Sequence, residues 1–203
     1  QGSRQSTFSL VRGTFCLCDH PSDTTPRESR RLIDRQVAVL GCEAAVGFDY
    51  SGVVTGERFT VAPRDSVVRE VSDLLRYFDL VMLHHDHNER GKVEAVREEL
   101  AGDASRIVPL VPVRETEAWM LTDPEALREA APTRDTAWQV PHDVEKVADP
   151  KAVLNDALGR RRDAERDFDR LGQTVALESL TKVSAYRRWV CDLRAAMEQQ
   201  RFL

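Results

Sequence analysis

With 203 residues, 41% hydrophobic and 31% charged, the chain is long enough for one sizeable core and has the composition of a globular protein rather than a disordered one. No apolar run approaches the roughly 20 residues needed to span a bilayer, which excludes a membrane-spanning helix. A formal net charge of −5 excludes global attraction to nucleic acid, so any such binding has to use a local basic patch.

Residues 1–3, Gln1-Gly2-Ser3, read as the scar of a cleaved tag and are set aside. No charged-then-apolar leader follows them. Cys16 and Cys18 stand two apart on an expected strand, and with Cys42 and Cys191 they form no zinc-binding spacing. They are expected to be buried or free thiols of a cytoplasmic protein.

In chain order, "TFCLC" (14–18) reads as a short apolar strand. Leu32, Ile33, Val37 and Leu40 then recur at helical spacing over 27–40, with Gly41 expected to end that helix. "AAVGFDY" (44–50) and, more weakly, "ERFTVA" (57–62) read as strands. Asp65 or Ser66 should cap a helix whose Val67, Val68, Val71, Leu74, Leu75 and Phe78 make one apolar stripe. "DLVMLHHD" (79–86) is the next strand, and residues 89–100 an amphipathic helix. "RIVPLVPV" (106–113) is a further strand whose two prolines argue for an edge position or irregular pairing.

Apolar strands separated by helices of about ten to fifteen residues predict βαβ units and a mostly parallel sheet flanked by helices. Ligands of such sheets bind beyond the carboxyl ends of the strands. Two expected strands run into polar clusters there: Asp19-His20-Pro-Ser-Asp23, and His84-His85-Asp86-His87-Asn88. If the second strand persists, His84, Asp86 and Asn88 share one face and His85 and His87 the other; if it ends near Asp86, the alternation fails. In either case Asp86 can hold a hard cation, Mg²⁺ or Mn²⁺, which needs few protein carboxylates besides water and substrate phosphate. The competing reading is a turn-forming aspartate in a solvated, histidine-rich loop.

Downstream, Arg114, Glu115 and Glu117 crowd the end of the fourth strand ahead of Trp119. Their chemistry suits a phosphate-and-metal site and equally a salt-bridged helix start. Asp123-Pro124 and Asp149-Pro150 are helix starts, the second helix running to about Leu158. "VALESL" (175–180) supplies a short helix. The last helix, from Ser184 to about Gln200, should bury Trp189, Val190, Leu193 and Met197. Arg160, Arg161 and Arg162 lie in a charge-dense stretch that reads as a solvated helix face or a phosphate-backbone contact.

"ETEAWMLTDPEAL", "DPKAVLNDAL" and "LESLTKVSAYRRWVCDLRAAM" together resemble the bacterial DUF 4276 family, which is related to the RloB-like proteins and similar to the TOPRIM fold of topoisomerases, primases and OLD-type nucleases. The "ETEAW…DP" segment carries most of the likeness. The resemblance implies a TOPRIM-like α/β core over 4–130 and a C-terminal helical extension over 131–203, wrapped on the sheet. It also implies a metal-dependent phosphodiesterase or nuclease acting on nucleic acid, with Mg²⁺ or Mn²⁺, in a bacterial defence or DNA-maintenance system with an ATPase partner.

Carried over residue by residue, Asp19 takes the place of the family's glutamate after the first strand, with Asp23 as the trailing acid. Asp86-His87-Asn88 takes the place of Asp-x-Asp, and the glutamate of "E-x-E-x-W" falls on Glu115 or Glu117. Asp19, Asp86 and Glu117 are thus the expected catalytic residues, and Asp23, Asp86, His87, Asn88, Glu115 and Glu117 the expected metal-ligand set. Two departures bear on activity. Asp19 reaches about 1.5 Å less far than glutamate, and Asn88 removes a negative charge from the metal site. His20 and His87 would shift preference toward Mn²⁺ or another imidazole-friendly metal. A catalytically degenerate partner or sensor subunit is therefore the alternative to an enzyme.

Overall fold

The computed structural model describes residues 10–19, 27–44, 47–55, 64–131, 141–159 and 164–203. For 10–14, 16–19, 27–29, 47–55, 64–66 and 164–165 it describes the backbone alone. His20, Asp23, the expected strand at 57–62 and Arg160 to Arg162 lie outside the described residues.

Four strands, β1 (Leu10–Asp19), β2 (Gly47–Thr55), β3 (Leu80–His84) and β4 (Ile107–Leu110), form one sheet in the order β2-β1-β3-β4. Every pairing is parallel. The connections β1–β2, β2–β3 and β3–β4 carry the helices α1 (Arg27–Glu43), α2 (Arg64–Leu74) and α3 (Arg90–Glu99). Among the described strands β4 stands at the edge, one of the two positions its prolines allow: Pro109, which has no N–H to give, is tolerated beside Leu83.

The alternation of side chains along the strands sorts the core into two faces. Val81, Leu83 and Ile107 pack with Val67 and Val71 of α2 and Val93 and Val96 of α3. Leu80, Met82, Val108 and Leu110 turn the other way, onto α1 and the helices after β4. These are α4 (Glu117–Met120), α5 (Pro124–Ala130), α6 (Pro150–Ala157), α7 (Ala164–Thr174), α8 (Leu177–Leu180) and α9 (Ser184–Gln199). Three layers result, helix, sheet and helix.

Long-range polar contacts fasten the C-terminal helices to the N-terminal half. Arg35 of α1 donates to the carbonyls of Gly172 and Val175 at 2.9 and 2.7 Å. The Tyr186 hydroxyl donates to Gln36 Oε1 at 2.6 Å, and Arg90 at the start of α3 donates to Asp192 of α9 at 2.8 Å. Trp119, Tyr186 and Trp189 pack with ring centroids 5.4 to 6.3 Å apart.

Several sequence expectations need correction. Gly41 does not end α1. A buried glycine costs about 1 kcal/mol relative to alanine, too little to stop a helix whose last turn is closed by the Ala44 N–H to the Leu40 carbonyl. Asp65 and Ser66 lie inside α2 rather than capping it, because the helix already begins at Arg64. The strand expected at 44–50 lies later, at Gly47–Thr55, where pairing with Leu10 to Leu17 fixes its position. Val190 is half-buried, while Ala185, Tyr186 and Ala196 join the buried face of α9.

Candidate functional site

The strand order reverses at β1, which has β2 on one side and β3 on the other. The carboxyl ends of β1 and β3 therefore flank a topological switch point, where open α/β sheets bind ligands. Asp19 closes β1 there, in register with His84 at the end of β3.

Beyond His84 the chain leaves the sheet and turns onto the loop that follows β4. The N–H of His85 donates to the Leu110 carbonyl at 3.1 Å, that of His87 to Arg114 at 2.7 Å, and that of Asn88 to Pro112 at 2.8 Å. His87 and Asn88 take left-handed backbone conformations, with φ of 59° and 56°. Asparagine and histidine are among the few non-glycine residues that enter that region readily. Of the two sequence alternatives the second holds: β3 ends at His84 and the alternation fails through the cluster. The stitched loops bring Asp86 alongside the segment carrying Glu115 and Glu117.

Within that space the carboxyl groups act on one another. Asp86 Oδ1 lies 3.1 Å from Nε2 of the fully buried His84. His85 faces away, its Nδ1 3.0 Å from the Asp86 carbonyl oxygen and its Nε2 3.1 Å from Glu89 Oε2. Burial raises the Glu115 pKa, and the negative field of Asp86 raises it further, with Lys151 and His87 opposing. Glu117, 4% exposed at the start of α4, is pushed up to about 7 by burial, with Glu115 and Asp86 adding to the shift; its own backbone N–H and Lys151 oppose it. Near neutral pH the cluster therefore holds a proton close to Glu117.

Asp86, Glu115, Glu117 and His87 of the expected set thus share one electrostatic neighbourhood. Asn88 is exposed on the turn, where its backbone conformation and N–H contact account for the residue type. Asp19 has its backbone at the same edge, and Asp23 lies outside the described residues. As for a divalent ion, Glu115 Oε2 is buried with no hydrogen-bond partner among the described residues, as suits an oxygen awaiting a cation. Among the described residues no group of three or more His, Cys, Asp or Glu is assembled to hold a metal. Asp86 and Glu115 are two carboxylates, the number that a Mg²⁺-type ion keeping water and substrate oxygens would need.

The neighbourhood of His84 and Asp86 is anticipated by the sequence, and two further contributors are not. Asp149 and Lys151, whose charges act on Glu115, arrive only because α6 packs on α4. A separate cleft of about 480 Å³ is lined by Thr122, His142, Asp143, Ser179 and Lys182 among others, and none of the site acids borders it. Its Glu145 carboxylate is engaged in accepting from the N–H groups of Ser184 and Ala185 at the start of α9.

Comparison of the chain with protein-family models, curated proteins and solved structures finds no match to any of them. Among the described residues no helix is long and apolar enough to cross a membrane.

Proposed function

We propose that the chain is a TOPRIM-like, metal-dependent phosphodiesterase or nuclease acting on nucleic acid, akin to the DUF 4276 and RloB-related proteins, with an ATPase as its partner in a bacterial defence system. The observation that carries this reading is the gathering of Asp86, Glu115 and Glu117 beyond the strand ends at the switch point, where Asp19 also closes its strand.

In this reading Asp86 and Glu115 hold a divalent cation, oriented respectively by His84 and by the loop stitched to His87 and Asn88. When bound, such an ion polarises the scissile phosphate and lowers the pKa of an attacking water. Asp19 transfers the proton. Glu117, with its pKa near 7, is poised to take up or release a proton as charge in the cluster changes. His87, exposed beside Glu115, favours Mn²⁺ over Mg²⁺ when it joins the ligand set.

A second reading, a degenerate partner or sensor subunit, is favoured by Asn88: a neutral residue held by turn geometry stands where Asp-x-Asp would place a carboxylate. Incubating the protein with labelled single- and double-stranded DNA and RNA, with Mg²⁺ or Mn²⁺, alone and with the candidate ATPase, separates the two. Metal-dependent cleavage supports the enzyme. Absence of cleavage under all these conditions supports the degenerate subunit.

A further inference from the structure

We infer that the cleft between the start of α5 and the turn leading into α9 is a second ligand site, separate from the acids, and that it takes a nucleoside monophosphate. The inference does not rest on the phosphodiesterase reading.

Three segments meet at the cleft: the start of α5 with Thr122 and Pro124, residues 141–145 running into the 3-10 turn Val144–Lys146, and Ser179 of α8 with Lys182 and Val183 ahead of α9. Each is fastened to another. Asp123 Oδ2 accepts from the Ala176 N–H at 2.8 Å, which ties the start of α5 to α8. Glu145 accepts from the N–H groups of Ser184 and Ala185 at 3.2 and 2.9 Å and from the Ser184 hydroxyl at 2.6 Å, which ties the 3-10 turn to α9. Val144 and Val183 are buried members of the main core. The walls are thus set by contacts within the protein. Their enclosed volume of about 480 Å³ falls in the range of about 300–1,000 Å³ usual for small-molecule sites.

The lining chemistry selects the ligand. Both acids of the cleft already have partners in the protein: Glu145 is held by α9, and Asp143 accepts from the Glu145 N–H at 3.1 Å and pairs with Lys146 at 3.1 Å. Lys182 lines the cleft too, and it makes no ion pair or side-chain hydrogen bond among the described residues. Its ammonium is a mobile point charge suited to a phosphate oxygen. The Ser179 hydroxyl and the His142 ring, also in the lining, can donate to further oxygens of the same group. Pro124, Pro141, Val144 and Val183 carry no side-chain donor or acceptor and suit the apolar faces of a ring. A phosphate joined to a ring system meets both halves of the cleft. A bare phosphate leaves the apolar walls uncovered, and an uncharged nucleoside leaves the lysine unpaired.

The test is titration calorimetry of the protein with the 5′-monophosphates of adenosine, guanosine, cytidine and uridine, with adenosine, and with inorganic phosphate. EDTA is present throughout, so that no metal at the acids can hold the phosphate. At least one monophosphate should bind one-to-one with a Kd below about 1 mM, and adenosine and phosphate alone should bind more weakly. Lys182→Met should weaken that binding by about ten- to a hundredfold, the loss of one charge-assisted contact, and Lys182→Arg should restore most of it. Both variants should melt at the wild-type temperature, because the side chain is exposed. Asp86→Ala should bind the nucleotide as wild type does, because the acids do not border the cleft. The inference is overturned if no monophosphate binds with a Kd below about 1 mM, or if Lys182→Met binds as tightly as wild type. Phosphate alone binding as tightly as the nucleotide would overturn it as well.

Discussion

His84 Nε2 lies 3.1 Å from Asp86 Oδ1, joining a fully buried imidazole at the end of β3 to a carboxylate in the turn beyond it. His84→Ala removes this contact and a fully buried ring, so it should cost about 1–3 kcal/mol of stability. The urea unfolding midpoint measures the cost, and a midpoint equal to that of wild type would show that the contact contributes nothing.

Glu117 gives the protein a defined pH response. Its carboxyl titrates near 7 in the folded state against 4.5 for an unperturbed glutamate. The folded state thus binds more protons than the unfolded state between those values, and stability falls as pH rises from about 4.5 to about 7. The loss from this one group is on the order of 3 kcal/mol. Glu117→Gln, which cannot ionise, should abolish that decline. Equilibrium unfolding at a series of pH values checks it; parallel curves for the two proteins would refute it.

Mutual repulsion among Asp86, Glu115 and Glu117 should be relieved by a divalent cation. Mn²⁺ or Mg²⁺ should raise the melting temperature, with a gain of about 2.7 kcal/mol when the metal is a hundred times its Kd. Asp86→Ala should remove the gain. A wild-type melting curve indifferent to metal would count against Asp86 and Glu115 as ligands.

The C-terminal helices share their core with the sheet. Phe15 of β1 packs edge-on against Phe202 with centroids 5.6 Å apart, and the buried Tyr186 hydroxyl bonds Gln36 of α1. Tyr186→Phe should cost about 1–3 kcal/mol, because the Gln36 carbonyl loses its donor. Unfolding should remain a single transition in both proteins. Two separated transitions would show that the extension folds apart from the sheet.

Much of this arrangement is legible in the sequence because its patterns are local. The continuous apolar run "LVML", buried at every position, and the period-3.6 stripe of Val67, Val71 and Leu75 announce a buried strand of a parallel sheet with a helix on it. Asp123-Pro124 and Asp149-Pro150 mark helix starts, and both aspartates accept from N–H groups of the first turn. Parallel strands bring their carboxyl ends to one edge, so the proximity of Asp86 to the Glu115 segment follows from counting strands. What remained hidden depends on tertiary contacts. The extent of α1 past Gly41 depends on a closing hydrogen bond, and the left-handed pair His87-Asn88 on carbonyls of another loop. The charges of α6 act on the acids only through its packing on α4.

The most direct measurement is the rate of nucleic-acid cleavage with Mn²⁺ by wild type, Asp86→Asn and Asp19→Asn, alongside metal binding by each. Asp86→Asn should lose both metal binding and cleavage, because that carboxylate holds the ion. Asp19→Asn should keep most of its metal affinity and lose about 10²–10⁴-fold in rate, the usual contribution of a general acid–base group. Cleavage by Asp19→Asn at the wild-type rate, or by Asp86→Asn with metal bound as tightly as in wild type, would contradict the proposed chemistry.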